Sequence, residues 1–143
     1  MNKQLFFTFL FCAIAYMSYA QDNEWKTYFS NNEASIEFKY IECHNPSKGI
    51  HHENVLLRIT NKTNTELSAA YYLQRIYNGR EVKADGSSEF TFSIPAYNKM
   101  ESSCEDLQEG LYVFSRIIDL KANSVLNSFD LKNLAINGQS VAR

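Results

Sequence analysis

The chain has 143 residues, 45% of them hydrophobic, with 14 Lys and Arg against 16 Asp and Glu and a formal net charge of −2. That balance offers no basic surface to a phosphate backbone, which excludes nucleic acid as a natural partner. Only two prolines and five glycines occur, and no repeat or low-complexity tract breaks the chain, so nothing marks a linker.

The N-terminal stretch reads as a cleavable export signal. Met1, Asn2 and Lys3 make a short positive start, residues 5–16 are almost unbrokenly apolar, and Ser18 and Ala20 put small residues where a signal peptidase reads. Cleavage is expected before Gln21, leaving residues 21–143 as a single domain behind a signal over residues 1–20. The apolar run is too short to persist as a membrane helix. Phe11 before Cys12 is too large for a lipoprotein site. A secreted or periplasmic product is expected, with no membrane insertion after signal removal. Cys12 leaves with the signal, so Cys43 and Cys104 remain, and an even count in an exported chain suggests a disulfide. Closing a loop of about 60 residues constrains the denatured chain by about 4 kcal/mol. The alternative is two unrelated thiols.

In chain order, residues 21–32 are polar with Trp25, Tyr28 and Phe29 set among them, fitting a first strand or an arm laid over the core. In residues 34–43, Ile36, Phe38 and Tyr40 alternate with Glu37 and Lys39, and then Ile41 and Cys43 take the other phase. A phase flip of that kind predicts a bulge. Residues 44–53 read as a loop, marked by Asn45, Pro46, Ser47 and Gly49. Residues 54–65 are the clearest strand: Val55, Leu57 and Ile59 share one face, and the run stops in the turn-forming Asn61, Lys62, Thr63 and Asn64.

Residues 66–77 fit two patterns. As a strand, Leu67, Ala69, Tyr71 and Leu73 share a face; as a helix, Ala69, Tyr72, Leu73, Ile76 and Tyr77 form a stripe. Strand is preferred, because tyrosines and Ile76 suit a pleated surface and Asn78-Gly79 follows as a hairpin signal. Residues 80–84 are the return strand and residues 85–87 a second turn. Phe90, Phe92 and Ile94 point inward and Thr91 and Ser93 outward in a strand that Pro95 ends. Residues 97–110 form a long acidic connection carrying Cys104, with room for one helical turn. Residues 111–120 are apolar in both phases, as a strand covered on both faces would be. In the last strand Phe129 and Leu131 take one phase and Leu134 and Ile136 the other, before a loose tail over residues 137–143.

About seven short strands with regular turn signals predict an all-β fold, an antiparallel immunoglobulin-like β-sandwich. The Thr60-Asn61-Lys62-Thr63 turn, the Tyr77-Asn78-Gly79 turn and the late Gly110-Leu111-Tyr112-Val113-Phe114 strand resemble those of uncharacterised small secreted immunoglobulin-like β-sandwich proteins of Gram-negative bacteria. The resemblance implies a fold and an address, and no activity. Antibody domains proper carry a tryptophan between their cysteines; Trp25 lies outside that interval.

His44, His51, His52 and Glu53 are the metal candidates, since imidazole and carboxylate suit zinc or copper. Adjacent histidines on extended backbone point apart, however, and no H-x-H or H-E-x-x-H spacing occurs, so a hydrated polar loop is the simpler reading and no cofactor is expected. No nucleophile motif such as G-x-S-x-G is present, and Glu105, Asp106 and Glu109 read as a solvated acidic stretch rather than an acid/base pair. Tyr72 and Tyr77 are the candidate binding residues, because exposed tyrosines anchor sugars or proteins; cross-strand packing is the plainer use of the same residues. The expectation is an exported non-enzymatic module that binds a protein or glycan at the cell envelope. Its alternatives are a small metal-dependent or hydrolytic enzyme using residues 44–53, or a structural or inhibitory protein acting through the acidic segment around Cys104.

Overall fold

The computed structural model of the chain describes residues 23–82, 88–118 and 124–142. The expected signal over residues 1–20 and the expected turn at residues 85–87 lie outside them. The described chain is all-β: β1 (Lys26–Ser30), β2 (Ala34–Asn45), β3 (Ile50–Asn61), β4 (Leu67–Tyr77), β5 (Arg80–Val82), β6 (Phe90–Ile94), β7 (Lys99–Glu101), β8 (Tyr112–Ile117), β9 (Leu126–Ile136) and β10 (Gln139–Ser140). The sequence suggested about seven strands. The return strand expected from residue 80 is β5, three residues long among the described ones; the additional strands, β7 and β10, have three and two residues, too short to show a period.

Two antiparallel five-stranded sheets form. In sheet A, β1, β2 and β3 lie in sequence, and β7 and β8 share the far edge of β3. In sheet B, β10, β9 and β4 are neighbours, and β5 and β6 share the far edge of β4. Each sheet is therefore organised on one long strand, and the short turn after Asn61 carries the chain from one to the other. Ile36, Leu57 and Ile59 of sheet A meet Leu67, Ala69, Tyr71, Leu131, Leu134 and Ile136 of sheet B in one core. Each fully buried aliphatic side chain there is worth about 1.5–3 kcal/mol.

Val55, Leu57 and Ile59 are fully buried, as their alternation predicts. Residues 67–77 form the strand preferred from the sequence, which sets Leu67, Ala69 and Tyr71 on the core side. Asn78 and Gly79 both adopt positive φ, 49° and 76°, the backbone of a two-residue hairpin in which Tyr77 pairs with Arg80.

Asn61 locks the end of β3. Its side-chain amide donates to the carbonyls of Thr65, Ile94 and Pro95 at 2.7, 3.0 and 3.1 Å, while its Oδ1 accepts from the Thr63 backbone N–H and hydroxyl, both at 2.8 Å. A buried amide with its donors and acceptor engaged is a rigid peg.

Four expectations need correction. β2 has no bulge against β3: their register runs without a shift from Ala34 opposite Asn61 to beyond Cys43 opposite His52. The apolar phase changes because the outer face of β2 is itself covered beyond Lys39, as described below. The phase change in β9 is the true bulge. Ala70 faces Ala135 and Tyr72 faces Lys132, so Tyr71 opposes both Asn133 and Leu134, and Asn133 takes a positive φ of 54°. Residues 44–53 are not a loop: β2 and β3 run on as a long hairpin closed by a 3₁₀ turn at Pro46–Lys48, and the histidines stand on strands. The tail is not loose throughout, since Asn137 and Gly138, with φ of 51° and 75°, fold Gln139 back onto Ile136. Residues 97–110 contain β7 and, among the described residues, no helical turn.

Candidate binding groove on the covered sheet face

Alternation puts one row of β2 and β3 on the core and the other on the outside of sheet A. The outer row contains Glu37, Lys39, Ile41 and Cys43 on β2, paired across with Arg58, Leu56, Asn54 and His52 on β3. On an uncovered sheet such a row would be wet. Here Leu56 is 2% exposed and Asn54 1%, because the chain between β7 and β8 folds over them.

That segment leaves the edge of β3 at Ser102 and returns at Leu111: the Ser102 N–H donates to the Leu57 carbonyl and the Leu57 N–H donates to the Leu111 carbonyl. Three anchors hold it. The Cys43–Cys104 disulfide, with Cα atoms 5.5 Å apart, ties its middle to β2, as the sequence suggested. The buried Ser102 hydroxyl accepts from the Gln108 N–H at 3.0 Å. At its far end the Tyr71 hydroxyl donates to the Gly110 carbonyl at 2.7 Å. Gly110 has φ of 82°, and a Cβ there would stand 2.6 Å from the Phe90 ring, so only glycine fits both the backbone and the space.

Beside this segment lies a groove of about 310 Å³, lined by Trp25, Lys39, Ile41, Leu56, Arg58 and Lys99 and, on the segment's side, by residues 101–105. Trp25 precedes β1, and its half-buried indole lies over Lys39 and Arg58, with the Lys39 ammonium 4.7 Å and the Arg58 guanidinium carbon 4.2 Å from the ring centroid. Cations attracted to the ring's negative face hold the indole on the sheet. Arg58 is also bridged by carboxylates on both sides. Its Nε and guanidinium end lie 2.9 Å from Glu37 on β2, and 3.7 Å separates it from Glu101 on β7. Lys99 sits 3.2 Å from Glu101. Pairing of β2, β3 and β7 thus produces a carboxylate–guanidinium–carboxylate row under one aromatic ring.

The structure distributes the other candidates. His44 and His51 face each other across the β2–β3 hairpin, ring centroids 4.6 Å apart, with His51 Nε2 3.4 Å from the Glu42 carboxylate. His52 is on the opposite face, where it meets Phe114 at 6.0 Å. Glu53 is held by the Ser115 hydroxyl at 2.7 Å and by Arg116 at 3.3 Å. Among the described residues no group of three or more His, Cys, Asp or Glu side chains is arranged to hold a metal ion. Tyr72 stands half-buried on the outside of sheet B, opposite Lys132. Tyr77 does not join it. An odd spacing along the strand turns Tyr77 inward, among Val55, Val113 and Leu126, and its hydroxyl donates to the Phe114 carbonyl at 2.6 Å.

Burial raises the Tyr71 phenol well above its ordinary range. It also raises Tyr77, which Tyr112 pushes further up and Arg75 pulls back. Tyr40 is raised by burial first and by the Glu53 carboxylate second, against the lowering effect of Lys26. The Tyr71 and Tyr77 phenols are structural donors, to Gly110 and Phe114; the groove lies elsewhere. Trp25, Lys39, Arg58 and Lys99 are the residues that sequence reasoning passed over. The available signal was weak: the chain's single tryptophan stands in a polar stretch with no core periodicity to absorb it.

Comparison of the chain with family models, with curated proteins and with solved structures finds no match.

Proposed function

We propose that the chain is an exported immunoglobulin-like β-sandwich that works as a non-enzymatic binding module, taking a protein or glycan partner at the cell envelope in the Trp25 groove. The observation that carries this reading is the groove's construction. A disulfide-anchored third layer on the outside of sheet A stands beside an indole stacked over two cations. Rigid walls reduce the entropy a ligand must give up on binding, and an aromatic wall with mixed charges around it suits a polar ligand with an apolar face. The two sheets sharing one core support the sandwich. The disulfide supports an oxidising compartment. No helix of the described residues is long and apolar enough to cross a membrane.

The enzyme alternative draws on the His44–His51 pair and Glu42. It has less support, because Glu53 is already committed to Ser115 and Arg116 and His52 points away. Glycan-array and envelope pull-down measurements with the exported protein, repeated with Trp25→Ala, test the module reading: binding lost in the variant supports it, and binding unchanged moves the site elsewhere. Zinc calorimetry on the wild type and a His51→Ala, His52→Ala double variant tests the alternative. N-terminal sequencing of the exported product should begin at Gln21.

A further inference from the structure

We infer that the Trp25 groove takes a saccharide that carries a carboxylate; this rests on the binding-module reading and names its ligand class. The argument begins with charge. Arg58 is compensated by Glu37 and Glu101, and Lys99 by Glu101. Lys39 alone among the lining cations makes no ion pair with a described residue; its ammonium rests on the face of Trp25. An ammonium parked on an indole at the rim of a groove keeps its donors for an incoming acceptor, and a carboxylate there gains both the charge and the hydrogen bonds.

The remaining lining fits a sugar ring better than a peptide side chain. Leu56 forms a closed floor at 2% exposure, so no deep apolar pocket opens to swallow a side chain. What remains is the half-buried indole: the face turned to Lys39 and Arg58 is taken by those cations, and the part of the ring left exposed is open to the polarised C–H groups of a pyranose. Around it stand the acceptors that sugar hydroxyls need: the Glu101 and Glu105 carboxylates and the Ser103 hydroxyl. The volume of about 310 Å³ lies at the small end of ligand sites, which suits one ring with its carboxylate or a short oligosaccharide end.

Because Trp25 is the chain's single tryptophan, intrinsic fluorescence reads the groove directly. The disulfide-intact protein is titrated with sodium glucuronate, galacturonate and N-acetylneuraminate, each beside its methyl ester, and with a short glutamate-rich peptide. At least one acid should shift the emission at about tenfold lower concentration than its ester. Lys39→Met, checked for an unchanged circular dichroism spectrum, should bring acid and ester to the same affinity. Equal affinity of acids and esters, or a response to the peptide and not to the sugars, overturns the ligand class and leaves the module reading standing. No response to any probe, with envelope partners still captured through Trp25, also overturns the ligand class alone. No response together with pull-downs indifferent to Trp25→Ala overturns both.

Discussion

The two sheets present outer faces of opposite character. Outside sheet B, Ser68, Thr91, Ser93 and Lys132 are exposed, and Tyr72, Gln74 and Ile76 are half-buried, with no third layer over them among the described residues. Outside sheet A, Leu56 and Asn54 are as buried as the core. The strands are alike in length and pairing; the difference is one disulfide and about ten residues of irregular chain. A sheet face gains a groove here through what is stapled to it as well as through its own strands. The staple leaves a groove at its margin, where Trp25, arriving from the β1 side of β2, lies over Lys39 and Arg58.

The largest break in that comparison should come from placing the same charge on both faces. Leu56→Asp puts an unpaired carboxylate under the cover, where a buried charge costs more than about 4 kcal/mol and should prevent folding. Ile76→Asp on the half-exposed face of sheet B should cost about 1–2 kcal/mol and fold. Urea denaturation of the two variants measures the gap; equal losses would mean the cover contributes nothing. Next in size, a Cys43→Ala, Cys104→Ala double variant frees the cover. It should lose about 4 kcal/mol in urea, and the Trp25 emission should move to longer wavelength as its surroundings become wet.

Gly110→Ala attacks the far anchor of the cover. The strained φ and the clash with Phe90 together should cost about 2–4 kcal/mol, seen as a lower thermal midpoint. A pH scan gives a smaller, graded effect. The raised phenols of Tyr71, Tyr77 and Tyr40 keep their protons in the folded chain above the pH at which the unfolded chain loses them, near 10.0. Their contribution is therefore complete below that pH and is lost as pH rises through the folded values. Stability by urea titration should stay level from neutral pH to about 9 and fall above about 10, and Tyr77→Phe should make that fall shallower. Smallest of all, Tyr72→Ala on the open face should change stability by about 0.5–1 kcal/mol.

The elements easiest to read from sequence were those whose signal is local. Val55, Leu57 and Ile59 alternate without interruption, and Asn78-Gly79 is a turn in its own right. Asn137-Gly138 carries the same dipeptide and folds the same way, but its place at the chain end made it read as a tail. Phase changes were ambiguous. In β9 the change marks a bulge, with Asn133 in the left-handed region; in β2 an identical-looking change marks a second covered face. Periodicity reports which residues are buried, not what buries them.

By itself, then, the sequence determined the all-β class, the principal strands and the two cysteines able to join, because alternation, turn chemistry and cysteine count act over a few residues or by composition. Only the tertiary structure decided the groove. Trp25, Lys39, Arg58, Lys99 and Glu101 sit on or beside four strands, and antiparallel registers between distant segments, Glu37 opposite Arg58 and Arg58 opposite Glu101, place them side by side. Those registers are set by burying the opposite row, Ile36, Leu57 and Ile59, in the core. The charged row and its tryptophan follow from the packing of side chains they never touch.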